Sequence, residues 1–158
     1  MTPSHVLFLA FGIGIIAGLR SLTAPAVVAW AAHRGWVNLH GTSLSFMGST
    51  AAVAILTILA AVELVADQLP KTPARTKPPA LIARIVLGAL SGAAVAVAGG
   101  QSAAVGGCLG AVGGVAGAFA GYQVRTGLVR ALKVPDFVIA VLEDIVAVAG
   151  ALFIVTRF

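Results

Sequence analysis

Arg20 stands in apolar surroundings with two hydroxyls and a proline just beyond it, in the run Gly18-Leu19-Arg20-Ser21-Leu22-Thr23-Ala24-Pro25. A helix starting near His5 would carry this guanidinium about 22 Å along its axis, inside the hydrocarbon region of a bilayer. A charge at that depth must face the protein interior and meet a partner. Pro25 cannot donate to the Ser21 carbonyl, and its ring crowds that turn. One reading is a helix broken near Gly18–Pro25, with Thr23 capping a new half-helix. Its free N–H groups, with Arg20, Ser21 and Thr23, would then form an anion site. The other reading is a simple proline kink, the hydroxyls bonding to the backbone of their own helix.

The carboxylates form the second set. Glu63 and Asp67 are four apart and share a helix face near the inner membrane boundary. Glu143 and Asp144 are adjacent, about 100° apart on a helix, so one of the two is expected to face the interior. Against these four stand Arg20, Arg84 and Arg125, all within apolar segments. Near-cancellation of charge fits an ion-pair network that locks helices together. The alternative is a proton or cation site in which Glu63 or Glu143 titrates. Four carboxylates are compatible with a hard divalent cation, but no His joins them: His5, His33 and His40 fall near the ends of apolar segments. No metal ligand is assigned. No metalloprotease, phosphate-loop or nucleophile-elbow motif is present, so no catalytic residue and no cofactor are expected.

The elements that must position these residues follow from composition. Of 158 residues, 59% are apolar and 9% charged, ten Lys or Arg against five Asp or Glu. Fifteen charges cannot cover a water-soluble domain of this size, so a small all-α integral membrane protein is expected, one domain over 1–158. Residues 85–124 carry no charge and are interrupted by Gly99-Gly100-Gln101-Ser102, a turn signal. The spacing predicts five spans at about 5–33, 46–67, 80–98, 102–131 and 136–156, or four if the segment after Pro79 is re-entrant. The N-terminus lacks the basic residues of a cleaved secretion signal.

Between the second and third spans lies a basic inner loop, 68–79, with Pro70, Pro73, Pro78 and Pro79; it reads as an extended connector. With five spans, Lys71, Arg75, Lys77, Arg130 and Lys133 share a side with the N-terminus, against Arg34 and Arg157 on the other. Basic residues favour the cytoplasmic side, so the N-terminus is expected inside and the C-terminus outside. Lys71, Arg75 and Lys77 are candidates for anionic lipid headgroups, and membrane lipids are the expected partner. Trp30 and Trp36 fit an outer interfacial belt. Without a basic face or aromatic platform, nucleic acid is not expected.

Glycines recur at four-residue spacing: Gly106, Gly110 and Gly114 in one row, Gly113, Gly117 and Gly121 in another, with Gly88 and Gly92 on the preceding helix. Small residues at that spacing let helix backbones approach closely. Two rows on one helix suggest a neighbour in the same chain and another in a second subunit, hence a homo-oligomer, dimer or higher. Each half of the chain also pairs an Arg-bearing helix (Arg20, Arg125) with a Glu-bearing one (Glu63, Glu143), the pattern of an inverted repeat across helices 1–2 and 4–5.

Gly18-Leu19-Arg20-Ser21, Glu63-x3-Asp67-x-Leu69-Pro70, Arg84-x3-Gly88-Ala89-x2-Gly92 and Glu143-Asp144 together resemble an uncharacterised, domain-of-unknown-function family of small polytopic bacterial membrane proteins. The resemblance covers nearly the whole chain and is most specific over Glu63 to Gly92. It implies a bacterial inner-membrane setting and brings no activity or site roles. Two functions follow from the residues: a small transporter or channel-like protein with an intramembrane Arg/carboxylate site, or a non-catalytic membrane scaffold held by glycine packing.

Overall fold

The structure, a computed structural model, describes residues 1–67 and 76–158. Among them the chain is all-α, with no strand: α1 (Pro3–Leu19), α2 (Thr23–His33), α3 (Thr50–Ala66), α4 (Pro78–Ala98), α5 (Ala103–Leu132) and α6 (Asp136–Val155). A short 3-10 turn, Ser45–Gly48, precedes α3. Helices α4, α5 and α6 are long and apolar enough to cross a membrane, with mean hydropathies of 2.1, 1.7 and 2.5. The last four helices begin and end within four residues of the expected spans 46–67, 80–98, 102–131 and 136–156.

The first segment differs. Residues 5–33 are not one helix: α1 ends at Leu19, Arg20 is extended (φ −136°, ψ 109°), and α2 starts at Thr23. The direction of α2 follows from its neighbours. Helix α6 runs antiparallel to α1, since Asp144 meets Arg20, Gly150 lies under Ile16 and Gly12 lies under Ile154. Helix α2 passes back along the same stretch, for Val27, Trp30 and Ala31 share a groove with Leu152. Its other side meets α3, where the Trp30 indole donates to Thr57 Oγ1 at 3.0 Å. Helices α1 and α2 therefore form a tight antiparallel hairpin whose tip is Arg20-Ser21-Leu22.

Proline does not cause this break by removing a hydrogen bond. Pro25 sits in the first turn of α2, where its missing N–H has no partner to lose. Thr23 is not the cap expected for it: the cap is Leu22, without a side-chain bond. The buried Thr23 hydroxyl has no hydrogen-bond partner among the described residues.

Every consecutive pair of helices is antiparallel. One end of the bundle holds the start of α1, residues 34–49, the 99–102 turn and the end of α6. The other holds the hairpin tip, the end of α3, the start of α4 and the α5–α6 turn. The residue-34 and residue-3 ends thus lie together, where a single 5–33 span would separate them. Val37, Leu39 and Met47 fold into the core shared by Ala94, Val95 and Ala96, which closes the 34–49 segment over this end. The 99–102 turn needs glycine at one position: Gly100 has φ +73°, and the Gln101 N–H returns to the Ala96 carbonyl at 2.8 Å.

Glycine lets α1, α4 and α5 approach to backbone contact. A Cβ on Gly92 would stand 2.8 Å from the Gly110 α-carbon, and one on Gly114 would stand 2.7 Å from the Arg84 carbonyl oxygen. On the second row, a Cβ on Gly113 would reach the Ile15 nitrogen at 2.9 Å, and one on Gly117 would reach the Ile15 α-carbon at 3.0 Å. Gly106 meets Gly92 in the same way, Gly88 meets Gly110, and Gly121 is buried. One row faces α4 and the other faces α1. Both close on the same chain, so the second row does not call for a second subunit.

Candidate functional site

The hairpin tip collects the polar residues. The Ser21 and Leu22 backbone N–H groups each donate to the Glu63 carboxylate at 2.8 Å, and the Ser21 hydroxyl donates to the same group at 2.5 Å. The start of α2 is thus an anion seat, as a half-helix N-terminus should be, and its occupant is a side chain of α3. Three donors, two of them backbone N–H groups just ahead of α2, converge on one carboxylate.

Arg20 is fully buried, 0% exposed. Its Nε donates to Asp144 at 2.5 Å, its Nη1 to Asp67, and its Nη2 reaches the Ala140 carbonyl at 3.5 Å. The extended backbone at Arg20 turns this side chain away from the α1 axis and between α3 and α6. A guanidinium suits the position because its planar fork can address two carboxylates at once. Arg84, 5% exposed, approaches from α4: its Nε donates to the Gly18 carbonyl at 3.1 Å and its Nη1 to the Ala80 carbonyl at 3.1 Å. Gly18 lies in the last turn of α1, where carbonyls lack helical partners and a cation is favoured.

A second network lies on α5 and α6. Arg125 donates to Asp136 at 2.9 and 2.5 Å and stands 3.6 Å from Glu143. Neighbouring residues on α6 therefore serve different partners: Asp144 faces Arg20 and Glu143 faces Arg125. The expectation that one of the two would face the interior is corrected, because α6 packs between α1 and α5 and offers each carboxylate a cation. Arg125 and Glu143 are equally far from Val134, nine residues before and nine after, so a helical hairpin sets them opposite each other. That symmetry was available from the turn position.

Beside the tip lies a cleft of about 460 Å³ lined by Ser21, Glu63, Asp67, Lys77, Pro79, Ala80, Ala83 and Arg84. Six expected site residues thus meet at one place: Arg20, Ser21, Glu63, Asp67, Arg84 and Asp144. Thr23 is buried nearby, and Arg125 with Glu143 forms the neighbouring pair. Of the headgroup candidates, Lys77 lines this cleft, while Lys71 and Arg75 lie outside the described residues. Sequence reasoning missed the Leu22 N–H, the Gly18 and Ala140 carbonyls and Asp136. Backbone groups leave no trace in residue type, but Asp136 opens the last helix, where an acidic residue is favoured. Among the described residues no three His, Cys, Asp or Glu side chains gather into a metal-binding group.

The family described as a domain of unknown function, DUF4126, matches residues 7–157, and the chain belongs to that family. No curated protein and no solved structure matches it.

Proposed function

We propose that this chain is a small membrane transporter or channel-like protein, with the hairpin tip and its cleft as the ion site. The observation that carries this reading is the Glu63 carboxylate, held by the tip N–H groups while lining the cleft. An anion seat filled by a side chain of the same protein is a seat that a small ion can contest.

In this reading α3 to α6 cross the bilayer and α1–α2 is a re-entrant hairpin, in place of five plain spans. Irregular backbone at membrane depth is tolerated where protein or a water-filled cavity surrounds it, as at Arg20-Ser21-Leu22. Helices α4 and α6 are about 31 and 30 Å long, enough to span the hydrocarbon. Arg84 and Asp144 lie about 9 and 12 Å in from their starts, which sets the depth of the site below that surface. An inverted repeat is not carried forward, because α5 runs unbroken past Arg125 whereas the chain turns back at Arg20. The bacterial inner membrane is the proposed setting. Lys77, Arg130 and Lys133 stand toward the tip end, so that end is placed inside and both chain ends outside. A homo-oligomer would have to use lipid-facing surfaces, the glycine rows being covered.

In a Cys108→Ala background, cysteines placed at Ser4 and at Thr156 are expected to react together with a membrane-impermeant maleimide applied outside intact cells, and one at Lys133 to be protected. Labelling of residues 4 and 156 from opposite sides would restore a single 5–33 span. For transport, proteoliposomes are assayed for H⁺, Na⁺ and Cl⁻ flux. Wild-type protein is expected to move one of these above the empty-liposome rate. Glu63→Gln, recovered as folded protein by gel filtration, is expected to change that rate at least about tenfold, the equivalent of one charge-assisted hydrogen bond. No flux for any of the three ions, or an unchanged rate in Glu63→Gln, sinks the proposal.

The full burial and pairing of Arg20 favours a second reading, a membrane scaffold whose charges only lock helices together. It shares every structural expectation and differs in predicting no flux.

A further inference from the structure

All five acidic side chains of the chain, Glu63, Asp67, Asp136, Glu143 and Asp144, lie toward the tip end of the bundle. The opposite end holds two arginines and no Asp or Glu. Arg157 lies over the Phe153 ring at 4.0 Å. Arg34 ends α2, and its guanidinium carbon stands 5.5 Å from the Trp30 ring centre and 6.0 Å from that of Trp36. Two rings hold this cation in place, yet rings do not use up its N–H donors. Among the described residues no side-chain carboxylate pairs with Arg34.

From Arg34 a groove of about 290 Å³ runs between α2 and α6, lined by Val27, Trp30, Ala31, Arg34, Trp36 and Leu152. Its walls below Arg34 are apolar. Trp30 and Trp36 are about two-fifths exposed, as expected for residues at a membrane–water boundary. The patch thus has a cationic head at the boundary and an apolar trough pointing toward the bilayer interior, the complement of a phospholipid.

We propose that this groove binds a phospholipid, its phosphate on the Arg34 guanidinium and an acyl chain along Val27, Ala31 and Leu152. Guanidinium is the favoured partner of phosphate oxygens because two parallel N–H donors match their spacing. The two indoles preset the fork, so less side-chain entropy is lost on binding. The site belongs to the leaflet away from the tip. It rests on the membrane placement proposed above but not on ion movement.

The test uses the full chain, delipidated in neutral detergent and titrated with dioleoyl phosphatidylglycerol under native mass spectrometry, with thermal stability read in parallel. A retained one-lipid adduct and a raised unfolding temperature are expected. Dioleoylglycerol, which lacks the phosphate, and inorganic phosphate alone should do neither. Arg34→Gln lies on an exposed side chain and should fold normally while binding roughly tenfold more weakly, the loss of one hydrogen-bonded charge. Arg157→Gln, at the other arginine of this end, should keep the adduct. The proposal is overturned if Arg34→Gln binds as wild type, if Arg157→Gln loses the adduct equally, or if dioleoylglycerol or free phosphate protects as well as the phospholipid. Correct cysteine labelling with no adduct would reject this site alone, whereas opposite-side labelling would reject the membrane placement on which it stands.

Discussion

Arg20→Met is expected to lose about 3–5 kcal/mol of stability, enough to leave little folded protein in detergent. Methionine fills much of the same volume and is at home in an apolar core, so lost packing is not the cause. The cost arises from Asp67 and Asp144, which both address the Arg20 guanidinium and would be left partly buried without it. Removing one partner of a buried ionic group is far more damaging than removing all of it. Arg20→Met combined with Asp67→Asn and Asp144→Asn should therefore recover much of the loss. Thermal unfolding of wild type, Arg20→Met and the triple variant, followed by size-exclusion fluorescence, checks this. If the triple variant is no more stable than Arg20→Met alone, the carboxylates are not the source of the penalty. Arg20→Lys should rescue little, because a single ammonium cannot reach both Asp67 and Asp144 with the same fork.

Gly110→Val is expected to be as damaging, by a different route. Three backbones meet at this residue. A Cβ on Gly14 would stand 2.7 Å from the Gly110 α-carbon, and one on Gly92 would stand 2.8 Å from it. A Cβ on Gly110 itself would stand 3.0 Å from the Gly92 α-carbon and 2.9 Å from the Gly88 carbonyl carbon. These are backbone atoms of α4, so no side-chain rotation relieves the contact, and α4 and α5 must separate. Overpacking costs typically 1–3 kcal/mol, and a clash with backbone at two levels of one neighbouring helix belongs at the upper end of that range. The control is Gly127→Ala on the same helix, which meets nothing within 4 Å. It should be neutral or stabilising by up to about 1 kcal/mol through helix propensity. Equal unfolding temperatures for Gly110→Val and wild type would remove close backbone packing from the account.

The two effects describe one design. Glycines bring α1, α4 and α5 to backbone contact, which fixes the level of Gly18 beside Arg84 and Gly114. Arg20 follows directly, at the height where α3 and α6 present Asp67 and Asp144. Glu63 then meets the start of α2. Moving the glycine contacts by even one residue would rotate α1 by about 100° and take Arg20 out of reach of its partners.

Much of this was legible residue by residue. Helices α3 to α6 could be placed because apolar length and turn signals are local: Gly99-Gly100-Gln101-Ser102 ends one helix and starts the next whatever surrounds it. Which charges needed partners was legible too, because a charge in an apolar run must be paired; Arg20, Ser21, Glu63, Asp67, Arg84 and Asp144 meet at the tip. Of the pairings, only Arg125 with Glu143 was legible, from their equal distance to the turn at Val134. That the adjacent Asp144 serves Arg20 was not, because it depends on α6 packing against α1.

By itself, then, the sequence determined an all-α chain of apolar helices and singled out the few charges that needed partners. Both properties depend on residue type and short-range order. Only the tertiary structure decided which way α2 runs. An apolar stretch the length of 5–33 can cross once as a broken helix or return as a hairpin with the same hydropathy. The choice depends on what satisfies the N–H groups exposed at the break. Here Glu63, some forty residues further along the chain, accepts from Ser21 and Leu22, and Arg20 turns to Asp67 and Asp144. A hydrogen bond across that sequence distance has no signature in the residues around the turn, and it exists only once α3 stands beside them.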